Sequence, residues 1–256
     1  MSVPYEQSAL LTGLPSVRHG FFGRKGGSSL GEFAENNMSI SVGDEPRAVD
    51  INRTGAAEAL GFRRNQLFLL KQVHSAKVHR LSERPTEDVA IEADALVTRL
   101  PLLALGILTA DCTPILLADQ EAGVIGAAHA GWRGAVDGIV ANTVSAMVEL
   151  GADPARIVAA IGPTISGENY EVGPHFMEDF TKLRPDGWRH FSTRNGGRAH
   201  FDLPGFVAAE LERAGVKIVE RTGACTYGNP DQYFSHRFAT HKGVTTGRQI
   251  AIIGLV

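Results

Sequence analysis

Short apolar segments separated by glycine and proline run along the whole chain, and this pattern limits the folds open to it. The 256 residues include 29 glycines and 12 prolines, which indicates many short elements joined by tight turns. Hydrophobic periodicity predicts strands over 18–22, 66–74, 77–81, 95–98, 102–109, 115–118, 124–129, 157–162, 217–220 and 250–255, and helices over 44–61, 135–150, 174–183 and 203–214. We therefore predict an α/β (α+β) fold. Residues 1–256 would form a single layered domain with mixed sheets flanked by helices.

Composition narrows the class of protein further. The apolar content of 43%, the charged content of 21% and a net charge of −3 are typical of a globular protein, and the charge argues against nucleic-acid or anionic-membrane partners. Every apolar stretch falls short of the roughly 18 residues that span a bilayer. The first residues lack the basic and apolar regions of a signal peptide. Two cysteines do not make a disulfide framework, so we expect a cytoplasmic protein with reduced thiols.

The segment 127–134 carries the clearest sign of chemistry. It follows an apolar run and places His129 among alanines and glycines, which allow other groups to approach the backbone closely. Two upstream segments repeat the arrangement, one with the thiol of Cys112 and the other with the imidazole of His74. Two imidazoles and one thiolate make a plausible three-ligand catalytic zinc set with one open position.

Other interpretations of these three residues remain open at this point. A buried cysteine is often a small core hydrophobe, and the spacings between the three match no local zinc motif. The nine histidines include no His-x-His pair, so a multicopper cluster is disfavoured, whereas one cysteine and two histidines suit zinc or Cu(I). A structural zinc site would need a fourth ligand, and Cys225 is the only other thiol. A metal-free binding module is the remaining alternative.

Arginines mark candidate anion sites. Arg24 lies beside Lys25 in a glycine-rich loop, and Arg53, Arg133 and Arg237 are further basic candidates. Arginine side chains and successive backbone N–H groups can hold a phosphate. A solvated basic turn is the alternative for each of them.

Motifs in the same order along nearly the whole chain resemble those of the YfiH-like family, also called the laccase-domain or polyphenol-oxidase-like family. They are His19-Gly20-Phe21, Arg24-Lys25-Gly26-Gly27, Asn36-Asn37-Met38-Ser39, Val42-Gly43-Asp44, Asn52-Arg53, Gln72-Val73-His74-Ser75, Ala93-Asp94-Ala95-Leu96-Val97-Thr98, Thr109-Ala110-Asp111-Cys112-Thr113-Pro114, the stretch around His129, Ile161-Gly162-Pro163, Tyr170-Glu171-Val172-Gly173, Cys225-Thr226-Tyr227, Phe234-Ser235 and Thr246-Gly247-Arg248. Two positions depart from the family pattern. Met38 stands where leucine is commoner, and His236 stands where an aromatic residue often precedes the arginine, which puts substrate preference in doubt.

The resemblance implies a single α/β domain and a zinc ion held by His74, Cys112 and His129. It implies phosphorolysis of adenosine, inosine, guanosine and methylthioadenosine, with adenosine deaminase activity as well. The family has two alternative activities. One is copper-dependent polyphenol oxidation (laccase-like), which is the older name of the family, and the other is hydrolysis of faulty peptidoglycan precursors.

Roles for individual residues follow from that activity. Asp111, beside Cys112, is the candidate acid–base residue, or it orients a ligand. Arg24, Arg53 and Arg133 are the candidates for binding phosphate, and Gln72 is a candidate substrate contact.

Overall fold

Two mixed β-sheets packed face to face form the centre of the molecule. The computed structural model describes residues 3–84, 91–193 and 196–256. The strands are β1 (Tyr5–Glu6), β2 (Val17–Phe22), β3 (Leu67–Leu69), β4 (Val78–Leu81), β5 (Ala95–Thr98), β6 (Leu103–Thr109), β7 (Thr113–Asp119), β8 (Val124–Ala130), β9 (Val158–Ile161), β10 (Phe191–Thr193), β11 (Ala199–Phe201), β12 (Ile218–Arg221) and β13 (Gln249–Leu255). One sheet has the strand order β1-β2-β13-β6-β3 and the other β12-β9-β7-β8-β5-β4, while β10 and β11 form a separate antiparallel pair.

Helices cover the outer faces of both sheets. They are α1 (Ala9–Thr12), α2 (Pro46–Ala59), α3 (Trp132–Asp137), α4 (Ile139–Glu149), α5 (Phe176–Leu183), α6 (Leu203–Arg213) and α7 (His236–Lys242), with 3-10 turns at Gly31–Phe33, Arg64–Gln66 and Pro185–His190. Of the helices in the described ranges, none is long and apolar enough to cross a membrane. The predicted mixed α/β architecture is confirmed.

Three apolar clusters account for the layering. Between the sheets, Leu105 of β6 shares one cluster with Leu116 of β7 and Ile125 of β8. A second cluster lies under α2 on the outer face of the five-stranded sheet. The third lies under α4 and α6 on the outer face of the six-stranded sheet. Because β7, β8 and β13 are buried along their whole length, they appear in the sequence as continuous apolar runs rather than as alternating patterns.

Two element predictions are wrong. The helix expected over 135–150 is two helices, α3 and α4, because Gly138 adopts a left-handed φ of 95° between them, a conformation that glycine accepts without strain. The strand expected over 66–74 ends at Leu69. The residues that follow form a loop, and His74 within it has a φ of 59°.

Candidate metal centre

His74, Cys112 and His129 lie together at one end of the six-stranded sheet. Their ligand atoms all lie within 4.8 Å of one another, and the distance from Cys112 Sγ to His74 Nε2 is 4.0 Å. The register of the sheet explains why Cys112 and His129 are close to each other. In the antiparallel pair β7–β8, Pro114 lies opposite His129, so Cys112, just before β7, is beside the end of β8. The third residue arrives on the loop after β3.

Asp94 holds that loop and one of the imidazoles. Its Oδ1 atom lies 2.8 Å from Nδ1 of His129 and accepts a hydrogen bond from the His74 N–H at 3.0 Å. Its Oδ2 atom accepts from the N–H groups of Val73 and Ser75 and from the Ser75 hydroxyl. Because the carboxylate occupies Nδ1 of His129, the Nε2 atom of that ring remains available, which is the usual arrangement for a histidine that binds a metal.

The charges of these groups support one another. Burial raises the pKa of the Asp94 carboxyl, but hydrogen bonds from His129 and Ser75 lower it to about 2. Burial also acts to raise the pKa of the Cys112 thiol, and the two imidazoles outweigh that effect and lower it. Burial acts to lower the pKa of the His129 imidazole, but Cys112 and Asp94 outweigh that effect and raise it to about 9. The thiolate is the form that binds a metal.

Gly131 leaves the room that these side chains occupy. A Cβ atom at this position would lie 3.0 Å from Cδ2 of His74 and 3.2 Å from Sγ of Cys112. Both distances are tighter than an ordinary van der Waals contact, so any larger residue would push the ligand atoms out of place. Gly131, within the segment 127–134, is therefore part of the site. The donor types, their proximity and this space all fit a metal ion.

A cleft of about 620 Å³ opens onto the three residues, a size typical of small-molecule sites. The described residues that line it include three fixed cations, three histidines and no carboxylate; the cations are Arg53, Lys71 and Arg248. Lys71 is ion-paired with Glu92 at 2.8 Å, so Arg53 and Arg248 are the two cationic side chains of interest, in a chain whose net charge is −3. His236, which departs from the family pattern, also lines this cleft.

The structure brings some of the predicted substrate residues to this cleft and leaves others away from it. Arg53 and Gln72 line it, whereas Arg24 and Arg133 are not among its described lining residues. The Arg24 guanidinium donates to the carbonyls of Ala34 and Pro230, so it joins two loops. Arg133 is exposed and its guanidinium lies 5.2 Å from the ring of Trp132, its neighbour in the chain.

Asp111 adopts a left-handed φ of 88° directly before Cys112. Its carboxylate accepts hydrogen bonds from the Thr226 hydroxyl and from the backbone N–H of Arg237, both at 2.6 Å. Asp111 lies in the turn before β7, and these contacts connect that turn to the first turn of α7. The arrangement fits the orienting role among the two considered for this residue.

Two further residues of interest were not assigned roles from the sequence. Asp94 could have been noticed as an acidic residue within an apolar stretch, which is costly to bury unless it is paired. Arg248 belongs to the family motif Thr246-Gly247-Arg248, but its place in the cleft depends on β13 pairing with β6 and could not be seen from the sequence.

Comparisons with known proteins identify the family of this chain. The family model described as multi-copper polyphenol oxidoreductase laccase matches residues 18–256. A protein of Deinococcus radiodurans named purine nucleoside phosphorylase is 45% identical over 240 residues, which cover 94% of this chain and 90% of that protein. A Corynebacterium glutamicum protein with the same activity in its name is 39% identical and covers 93% of this chain and 94% of its own.

Solved structures give the same result. The crystal structure of Bacillus licheniformis hypothetical protein YfiH superposes with a TM-score of 0.87 at 30% identity, covering 94% of this chain and 93% of that one. YlmD from Geobacillus stearothermophilus superposes with a TM-score of 0.87 at 28% identity, covering 100% and 99%.

The fold and the site define a mixed α/β protein with a group of two histidines and one cysteine that could hold a metal ion. The chain belongs to the YfiH-like, laccase-domain family, as its sequence motifs predict.

Proposed function

We propose that this protein is a zinc-dependent purine nucleoside phosphorylase. The observation that carries the proposal is the cleft itself, in which the described lining residues join the His74–Cys112–His129 group to Arg53 and Arg248 and include no carboxylate. A neutral nucleoside and an anionic phosphate are the two substrates that such a cleft suits. The names of the relatives support the same reaction.

Zinc suits the donor set better than copper does. Two imidazoles and one thiolate that line an open cleft match the donor set of a catalytic zinc site. When bound there, zinc supplies a Lewis acid and lowers the pKa of a coordinated water. The family's copper name refers to clusters with many histidines, whereas the described residues hold one group of three potential ligands. We therefore prefer zinc, and rank polyphenol oxidation and peptidoglycan-precursor hydrolysis below phosphorolysis.

The chain's own residues would position the substrates for phosphorolysis. A phosphate oxygen forms a bond to C1′ of the ribose while the C1′–N9 bond breaks and its electron pair moves to the purine. The proton lost by the phosphate balances the one gained by the free base. We assign Arg53 to the phosphate and Gln72 to the nucleoside. The Gln72 side-chain amide donates to the Leu108 carbonyl and accepts from the Leu108 N–H, both at 2.8 Å. These bonds fix its orientation, so it would offer the nucleoside a hydrogen-bonding group in a defined position.

We propose adenosine, inosine, guanosine and methylthioadenosine as substrates, because the cleft has room for a purine nucleoside. Adenosine deamination is proposed as a second activity, in which water replaces the 6-amino group and ammonia leaves. The sequence makes Asp111 the candidate acid–base residue, but its carboxylate is hydrogen-bonded to Thr226 and Arg237, so we assign it the orienting role beside Cys112. Cys112 and Cys225 are both free thiols, which suits the reducing cytoplasm.

Chromatography of the reaction products tests the proposal. Inosine incubated with the zinc-loaded protein should yield hypoxanthine and ribose 1-phosphate only when phosphate is present. Conversion of adenosine to inosine should proceed without phosphate, because its nucleophile is water. Equal yields of free base with and without phosphate would favour hydrolysis instead. If no nucleoside is turned over, the proposal is wrong and hydrolysis of peptidoglycan precursors becomes the favoured activity.

A further inference from the structure

The positive side of the cleft is built as one unit around Asn37, a fully buried residue. The Asn37 Oδ1 atom accepts hydrogen bonds from the backbone N–H of Ser39 at 3.1 Å and of Arg248 at 2.8 Å. The backbone N–H of Met38 donates to the Arg248 carbonyl at 2.9 Å. The segment 37–39 and the start of β13 are thereby locked together at the edge of the cleft.

The same segment fixes a second arginine. The Nε atom of Arg53 donates to the Met38 carbonyl at 2.8 Å, so the Arg53 guanidinium and the Arg248 backbone are held by the same short segment. Two hydroxyls on and just after this segment, Ser39 Oγ and Ser41 Oγ, lie 2.9 Å apart, and both residues line the cleft. Arginines and hydroxyls held in fixed positions are suited to the oxygen atoms of a tetrahedral anion.

Arg248 has no acidic partner among the described residues. Its guanidinium donates through Nη1 to the carbonyls of Thr246 and Gly247, and no ion pair involves it in the described part of the chain. Burial lowers its pKa, opposed by the charges of Cys112 and Asp111. A partly buried cation with only neutral direct partners is costly, and an anionic ligand in the cleft would offset that cost.

We propose that Arg248, together with Arg53 and the hydroxyls of Ser39 and Ser41, forms the binding site for inorganic phosphate. The assignment rests on the proposed phosphorylase function for its biological use, but the binding of phosphate can be measured without turnover. It gives phosphate a place in the same cleft as His74 and Cys112. It also replaces Arg24 and Arg133 by a residue that lines the cleft.

Calorimetric titration of the zinc-loaded protein with inorganic phosphate, in the absence of nucleoside, tests the site. We expect saturable binding by the wild type and a tenfold to hundredfold weaker affinity for Arg248→Gln, since a charge-assisted contact is lost. Arg189→Gln is the matched control, because Arg189 is exposed and does not line the cleft. A folded Arg248→Gln protein with wild-type affinity, or a wild type without saturable binding, would overturn the proposal.

A second measurement needs no variant. Phenylglyoxal modifies accessible guanidinium groups, and peptide mapping by mass spectrometry reports each arginine separately. Saturating phosphate should protect Arg248 and leave the modification of Arg189 unchanged. Equal modification of Arg248 with and without phosphate would overturn the assignment. If phosphate protects Arg248 but inosine is not cleaved, the anion site stands and the phosphorylase function fails.

Discussion

Asp94 contacts His129 twice, through its side chain and through its backbone. The carboxylate lies 2.8 Å from the ring Nδ1, and the Asp94 carbonyl accepts the His129 N–H at 2.7 Å. The rotation of the ring and the position of the strand that carries it are therefore set by one residue. The same carboxylate shapes the His74 loop, so two of the three candidate ligands depend on it.

The first prediction concerns Asp94→Asn, which preserves the shape of the side chain but removes its charge. Zinc affinity should fall about tenfold to a hundredfold, as is usual when the partner of a metal-binding histidine is lost. Competition with a chromophoric chelator measures it. Asp119→Asn is the control, since Asp119 is buried and ion-paired with Arg156 at 2.9 Å, remote in role from the ligands. Wild-type affinity in Asp94→Asn would contradict the role assigned here.

The second prediction concerns the space at Gly131. The methyl group of Gly131→Ala would meet His74 and Cys112 at about 3 Å, so zinc should bind more weakly while the fold is retained. Gly173→Ala is the matched control, because a Cβ at Gly173 would have no atom within 4 Å. The same chelator competition compares the two variants. Equal zinc affinities would show that the ligands tolerate the methyl group.

These features show how far the sequence led. The long buried strands and the three chemistry-bearing residues could be predicted, because apolar runs and unusual strand ends are local patterns. The loop that holds His74 could not. It looked like a continuing strand, but its N–H groups pair with Asp94, about twenty residues further on. The sequence predicted an anion site at Arg24, because it does not show that two loop carbonyls already accept hydrogen bonds from the Arg24 guanidinium.

The third prediction concerns stability and pH. His19 is buried, its Nε2 atom accepts the Ser8 N–H at 2.8 Å, and burial lowers its pKa from 6.5 to about 4, with Glu220 opposing the shift. Between these values the unfolded chain binds a proton that the folded protein does not. Stability should therefore fall as pH decreases through this window, by about 3 kcal/mol at pH 4.

Urea unfolding of the wild type and of His19→Gln at several pH values measures this contribution. The variant should be less stable at pH 7 but lose less stability on acidification. Parallel pH profiles for the two proteins would show that His19 does not contribute to the acid sensitivity.

The fourth prediction is that the fold tolerates loss of the metal. The three apolar clusters lie between and outside the sheets, and burial at about 25 cal/mol per Å² should maintain them without zinc. The protein treated with a chelator should keep its far-ultraviolet circular dichroism at 25 °C, and so should a variant with all three candidate ligands replaced. Unfolding on chelation would indicate a structural rather than a catalytic metal.

The central claim is that a metal bound by His74, Cys112 and His129 is required for phosphorolysis. The most direct test adds zinc back to metal-free protein and measures bound metal and inosine phosphorolysis in the same samples. We predict that activity rises in proportion to zinc up to about one ion per chain, and that Cys112→Ala shows neither tight binding nor activity. Full phosphorolysis by metal-free protein, or recovery with copper but not with zinc, would contradict the account.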